Sequence, residues 1–547
     1  MKTNKELFNN KNKAKSMVGE FDISKVQIQN VFVNKLIRTV FYILAIILPI
    51  QTILVQFLTS KFGVSEFVAL WKEVLIFILI LYFLFQIFRI LWGKFGHLGN
   101  SKFWRYFLEN SWLLIIFFFL NLVILLNSFI FNSASLKVFF YGYRFEIFWL
   151  AFFVITVTYL NLVGKSNFLN LQEVKNSFYT KLRNSVLIGF IISAIFSLIS
   201  IIFGQQNVLK LFGFVDNTDP SNSLLTQALT CNVVDFGSSI CRLPGTFSSP
   251  NHFAGYLLLV LPIILVLFVD YFNKWREFHA TSLKPLQFSK TNPLWILLAI
   301  STGIVLICLF LLLTISRFSW LGIFVFLGLI IIYFGYKLKL FNLIVAKIFF
   351  AILLLIPIFI GVLAINLNPE TTLKNLPIAI AKPSSTIEHY RHTMTSLEVL
   401  ITSQKYLTGF GLGSSGSVAT SQYQDLEQNP IYKDYSYVAL KWFMFPHRVT
   451  IPENWYLALV LNGGFIYAIL YLVLLLYPAR SIMYFFGGKV FDEAVLKQLF
   501  FSLGFFCILI ANLFLQIWEN QTIAIYWTLL FVISVAYKSI KPFVNKT

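Results

Sequence analysis

Three side chains far apart in the sequence, Arg242, Arg317 and Glu453, are of types that do chemistry at a membrane surface. Arg317 stands in LLLTISRFSWLG, between two apolar runs with almost no room for a loop. Its side chain either snorkels to the interface or points into a helix bundle, and its planar fork of donors suits a phosphate. Arg242 stands in CRLPGTFSSPNHFAGYL, where Pro244, Gly245, Pro250 and Asn251 describe a folded turn entering a helix, with Asn251 as a candidate N-cap. The plainer reading is a solvated arginine in a helix-entry loop. Glu453 and Asn454 stand in IPENWYLALVLNGG. Pro452 followed by Glu453 is ordinary helix-start chemistry, with the carboxylate favoured by the helix dipole. The same carboxylate can also act as a general base at the membrane surface. His389, Tyr390, Arg391 and His392 lie together further upstream. Near-adjacent histidines on one helix do not converge on a single ion, so the group suits a further cation over an anionic substrate better than a metal. The run GFGLGSSG from Gly409 to Gly416 lacks the GK[ST] ending of a phosphate-binding loop. No Ser/His/Asp or zinc signature occurs elsewhere.

The elements that position these residues are membrane spans. Of 547 residues, 58% are hydrophobic and 12% charged, against roughly half and a quarter in soluble domains. The apolar residues fall in runs of about 20, the length of a bilayer-spanning helix. About twelve such runs read as spans, at 36–58, 73–92, 112–131, 145–164, 184–204, 252–272, 294–314, 319–336, 343–366, 453–477, 498–516 and 519–537. The fold class is an all-α polytopic bundle. The net charge of +20 would suggest nucleic acid in a soluble chain. Here the lysines and arginines sit between spans, where they set orientation and meet anionic lipid, and no nucleic-acid partner is implied.

The basic residues place both tails, 1–35 and 538–547, on the cytoplasmic side. The first span reads as a signal anchor, with no small-residue cleavage site. Residues 36–366 then hold nine spans with an outer loop at 205–251, residues 367–452 form a large outer loop, and 453–537 hold the last three spans. A loop that long between spans is usually functional, and a helix is expected in it at 386–404. Cys308 and Cys507 lie in apolar spans and read as packing residues. Cys231 and Cys241 share the 205–251 loop, where a disulfide is expected if the loop faces an oxidising compartment. No internal repeat of the inverted-transporter kind is visible.

In this order the motifs resemble the O-antigen ligase and polysaccharide polymerase family of bacterial membrane proteins. The first element is Arg242, Gly245, Phe247, Pro250, Asn251, Phe253, Ala254 and Tyr256. The second is Thr314, Ser316, Arg317, Trp320 and Gly322. Arg391 and the turn Gly409, Gly411, Gly413 follow, then Glu453, Asn454, Trp455, Tyr456, Leu457 with Gly463 and Gly464. The match runs over about 240–470; the first third is similar only as a hydrophobic bundle.

The resemblance implies an inverting, metal-independent glycosyltransferase of the inner membrane with no cofactor. Its donor would be a glycan on undecaprenyl pyrophosphate, and its acceptor a glycan or lipid hydroxyl at the outer face. Arg242 and Arg317 would hold the pyrophosphate, Glu453 would take the acceptor proton, and Asn454 would orient the sugar or the glutamate. Asn251, Arg391, His389 and His392 would complete the substrate site. Ligases of the family carry histidine where this chain has Glu453, a departure that favours a polymerase or divergent transferase over a lipopolysaccharide ligase. The alternative is a glycan transporter or flippase, which needs charges deep in the spans.

Overall fold

The structure, a computed structural model, describes residues 23–98, 100–165, 172–214, 233–235, 239–281, 293–366, 383–416, 419, 429–441, 452, 454–513 and 515–537. Within these the chain is all-α, apart from a hairpin of two three-residue strands, β1 (Val233–Asp235) and β2 (Ser239–Cys241). Ten helical stretches are long and apolar enough to cross a membrane, and two shorter ones, Leu343–Ile356 and Gln521–Val535, are apolar as well. Together they coincide with the expected spans.

The helices run in order as α1 (Ile23–Ile47), α2 (Gln51–Phe62), α3 (Trp71–Leu98), α4 (Asn100–Leu125), α5 (Leu136–Gly142), α6 (Phe148–Lys165), α7 (Gln172–Phe203) and α8 (Gln205–Leu211). After the hairpin come α9 (Pro250–Thr281), α10 (Pro293–Leu313), α11 (Arg317–Lys337) and α12 (Leu343–Asn366). The large loop contributes α13 (Pro383–Thr402), close to the helix expected there, and α14 (Tyr432–Lys441). The last elements are α15 (Trp455–Leu476), α16 (Ser481–Gly487), α17 (Glu493–Ala511) and α18 (Gln521–Ala536). Pro49 interrupts the first span with a 3-10 turn at Leu48–Ile50. A π-helical turn at Tyr143–Ile147 leads into α6.

Helix α9 is the axis of the second half. In its most apolar stretch 83% of residues are buried, against 17% in α10, which faces outward. It packs on α10, α17 and α18. Association between lipid-solvated helices depends on close backbone approach, which small residues permit. Gly322 of α11 sits where a Cβ would come within 2.6 Å of Leu258 on α9. Gly504 of α17 likewise makes room for Pro262, whose position inside α9 costs a backbone hydrogen bond.

Helix α15 is broken. Gly464 has φ +78°, in the left-handed region that glycine alone enters cheaply. A break in a membrane helix frees backbone groups that lipid cannot satisfy. Here the large loop supplies the partners. Phe410 N–H donates to Leu461 O at 2.7 Å, Gly411 N–H to Asn462 O at 3.0 Å, and Phe465 N–H to Tyr406 O at 2.8 Å. A Cβ on Gly464 would collide with Leu407 O, so loop and helix meet backbone to backbone. The glycine run of the loop is therefore a plug seated in the break.

Candidate active site

The segment before α9 folds back onto the junction between α10 and α11. That junction is only Thr314–Ser316, as tight as the sequence required, and it holds Ile315 at φ +49°. A β-branched residue in that region is a genuine backbone outlier of the kind that clusters at functional sites. Hydroxyls tie off the end of α10: Thr314 Oγ1 donates to Leu311 O at 2.7 Å, and Ser319 Oγ lies 2.6 Å from Ser316 O and 3.0 Å from Leu311 O. Leu243 N–H donates to Leu313 O at 3.0 Å.

Arg242 completes this end. Its Nε donates to Thr314 O at 2.8 Å, and its Nη2 donates to Asn251 Oδ1 at 2.8 Å. Ser316 Oγ donates to the same Asn251 oxygen at 3.0 Å. A cation at a helix C-terminus is well placed electrostatically. Arg317, at the first position of α11, sits where the dipole disfavours a cation. Burial first, and the Arg317 charge second, hold the Arg242 guanidinium below its ordinary pKa. Two half-buried arginines thus lie beside a helix N-terminus.

Asn251 was expected to cap α9. Instead Ser249 takes that place, accepting Asn251 N–H at 3.2 Å through Oγ and Phe253 N–H at 3.1 Å through its carbonyl. Pro250 is the first helical residue, where its missing N–H costs nothing. Asn251 is thereby free to join Arg242 to Ser316. A cavity of about 410 Å³ adjoins the same two segments, lined by Ser200, Gly204, Gln205, Leu243 and Leu313.

The start of α15 lies at the same end of the bundle. Trp455 N–H donates to Asn512 O at 3.0 Å, and Gln516 Nε2 donates to Pro452 O at 3.3 Å. Ile517, next in the α17–α18 connection, packs on Gly255 near the start of α9. Asn454 is the N-cap of α15: its Oδ1 accepts Tyr456 N–H at 3.0 Å and Leu457 N–H at 3.2 Å. Glu453 lies outside the described residues.

The structure brings Arg242, Asn251 and Arg317 together. In the loop, Arg391 is half-buried on α13 and His392 is buried on the face where Ser396 meets Tyr435 of α14 at 3.0 Å. The His389 side chain lies outside the described residues. So does Cys231, and with it the expected disulfide; Cys241 is paired in register with Val233 across the hairpin.

One acid escaped the sequence reading. Glu146, counted inside an apolar span, is 2% exposed between α6 and α15. Asn462 Nδ2 donates to its Oε1, Tyr467 OH donates to its Oε2 at 3.0 Å, and Tyr471 OH donates to its backbone oxygen at 2.6 Å. The signal available was the acid itself, since an ionisable residue within a span defaults to a functional hypothesis.

Residues 302–472 match the family model described as O-Antigen ligase. Over that stretch the chain is similar to the O-antigen ligase family. That segment contains Arg317, Arg391, the glycine turn, Glu453, Asn454 and the break in α15, whereas Glu146, Arg242 and Asn251 precede it. No curated protein and no solved structure matches the chain. The family is one of membrane enzymes that handle glycans.

Proposed function

We propose that this chain is an inverting, metal-independent glycosyltransferase that moves a glycan from an undecaprenyl-pyrophosphate-linked donor to an acceptor hydroxyl at the outer face of the bacterial cytoplasmic membrane. Both termini are then cytoplasmic and the large loop is outside. The observation that carries the reading is the paired arginine site, in which Arg242 is fixed by Thr314 O and Asn251 beside Arg317.

In this reading the acceptor oxygen attacks the anomeric carbon while Glu453 takes its proton. The bond from that carbon to the pyrophosphate oxygen breaks, and undecaprenyl pyrophosphate leaves with the electron pair. Arg242 and Arg317 offset the charge that develops on the leaving group, in fixed positions that cost no reorganisation. The cavity lined by Leu243 and Leu313 would take the first part of the lipid chain. Asn454, as a cap, holds the helix start that carries Glu453. Arg391 adds a positive charge on the loop side, with His389 and His392 beside it in the sequence.

Among the described residues, the buried Glu146 is an observation that favours a transporter. Its partners are two phenols and the Asn462 amide, which also holds Ser415 of the loop plug, an arrangement suited to holding structure. Purified protein in liposomes, supplied with lipid-linked glycan and acceptor, separates the readings. New glycosidic linkages, lost in Arg242→Ala and Arg317→Ala, support the transferase. Movement of labelled glycan with no new linkage overturns it.

A further inference from the structure

The glycine plug of the large loop and the helix start that carries Asn454 are both tied to one residue from outside the matched family segment, the first through its carboxylate and the second through its backbone carbonyl. Asn462 gives its amide N–H to Glu146 Oε1. This fixes which way the amide points, so its Oδ1 faces the loop and accepts Ser415 N–H at 2.8 Å. The neighbouring turn is held by Leu412 N–H donating to Ser128 Oγ at 3.0 Å, and by Asn132 Nδ2 donating to Gly409 O at 3.1 Å. Asn127 Nδ2 donates to Gly463 O, at the break itself, at 2.6 Å. The second tie starts at the Glu146 carbonyl, which lies in the π-helical turn and accepts Tyr471 OH. The Tyr471 oxygen in turn accepts Trp518 Nε1–H at 2.8 Å. Trp455, the residue after Asn454, packs on both, with ring centroids 5.3 Å from Tyr471 and 6.1 Å from Trp518.

We infer that Glu146 is a positioning residue: through Asn462 it seats the 405–416 turn in the break of α15, and through Tyr471 and Trp518 it registers the start of α15. π-Helical turns inside longer helices often mark functional sites, and this one presents a carboxylate and a carbonyl to the same helix. The carboxylate accepts from Asn462 and Tyr467 together, so its polarity dictates theirs. The consequence for turnover rests on the transferase reading; the seating of the loop does not.

The test is hydrogen exchange on the full-length protein in liposomes, read on peptides covering 405–416, alongside glycan transfer. In Glu146→Ala the peptide should exchange at least ten-fold faster while peptides of α9 and α11 are unchanged. Glu146→Gln should change little, because its amide can still accept from Asn462. Asn462→Asp should unseat the turn as Glu146→Ala does, since two carboxylates would face each other. The double variant E146Q/N462D should restore protection, with the new amide at 146 donating to the new carboxylate at 462 and its oxygen still accepting Tyr467 OH. Restoration by reversed polarity is not expected of a residue that only fills space. Glycan transfer should fall and recover in step with exchange. Unchanged exchange in Glu146→Ala, or a double variant no better protected than Asn462→Asp, overturns the inference. Altered exchange with no transfer by the unaltered protein would instead count against the transferase reading alone.

Discussion

Asn251 offers a sharp test of what the arginine pair is for. Its Oδ1 accepts from Arg242 Nη2 at 2.8 Å and from Ser316 Oγ at 3.0 Å. Asn251→Ala deletes both. A hydrogen bond from a charged donor contributes about 1.5–3 kcal/mol and a neutral one about 0.5–1.5 kcal/mol. The site is half-buried, so water recovers part of this and Tm should fall only modestly. The effect on catalysis is larger, because Arg242 loses its aim. A loss of about 1.5–3 kcal/mol of transition-state stabilisation is roughly a 10- to 150-fold drop in kcat/KM. Asn251→Asp separates aim from charge. The carboxylate keeps both contacts and pairs with Arg242, so Tm should hold or rise. Transfer should nevertheless fall at least as far as in Asn251→Ala, because the new negative charge occupies the guanidinium meant for the pyrophosphate. The assay is glycan transfer in proteoliposomes, with thermal unfolding in detergent on the same preparations. Full transfer by Asn251→Asp would refute an anion-binding role for Arg242.

Arg317→Lys should recover little of the transfer lost in Arg317→Ala, because a point charge does not reproduce a bidentate fork; lysine at full rate would show that charge alone suffices. Gly464→Ala should disturb the loop plug by more than the roughly 1–3 kcal/mol of backbone strain alone, since its Cβ would collide with Leu407 O; faster exchange at 405–416 is the readout. For topology, single cysteines in a cysteine-free background should label from outside at Tyr437→Cys, which is 73% exposed in the large loop, but not at Val490→Cys, which is 56% exposed between α16 and α17. Reversed labelling would invert the orientation and remove the site from the outer face.

Much of the architecture was legible because its signals are local. Apolar runs of span length marked the helices, and the crowded junction around Arg317 followed from the lack of residues between two runs. The arginine pair was reachable because both residues stood alone at the ends of apolar runs. The exact partners were not. Asn251 read as a cap because it follows a proline-rich turn, but the helix starts two residues earlier, and the Ser249 hydroxyl takes the N–H of Asn251 itself. Asn454 read as a residue that orients the sugar or the glutamate, and the motif gave no sign of the capping bonds its oxygen makes. The glycine run could be recognised only as something other than a nucleotide loop, because the break it fills is about fifty residues away and shows only as Gly463–Gly464. Glu146 and Asn462 are 316 residues apart, and no periodicity joins them.

The most direct test is Glu453→Gln, with donor binding and glycan transfer measured on the same preparation. The variant keeps the shape of the side chain and removes the base. General-base catalysis is worth roughly 10²–10⁴-fold, so transfer should fall by at least about 100-fold while the lipid-linked donor binds as tightly as before. Full transfer in Glu453→Gln would contradict the account, leaving the glutamate as a helix-start residue and sending the search for the base to His389 and His392.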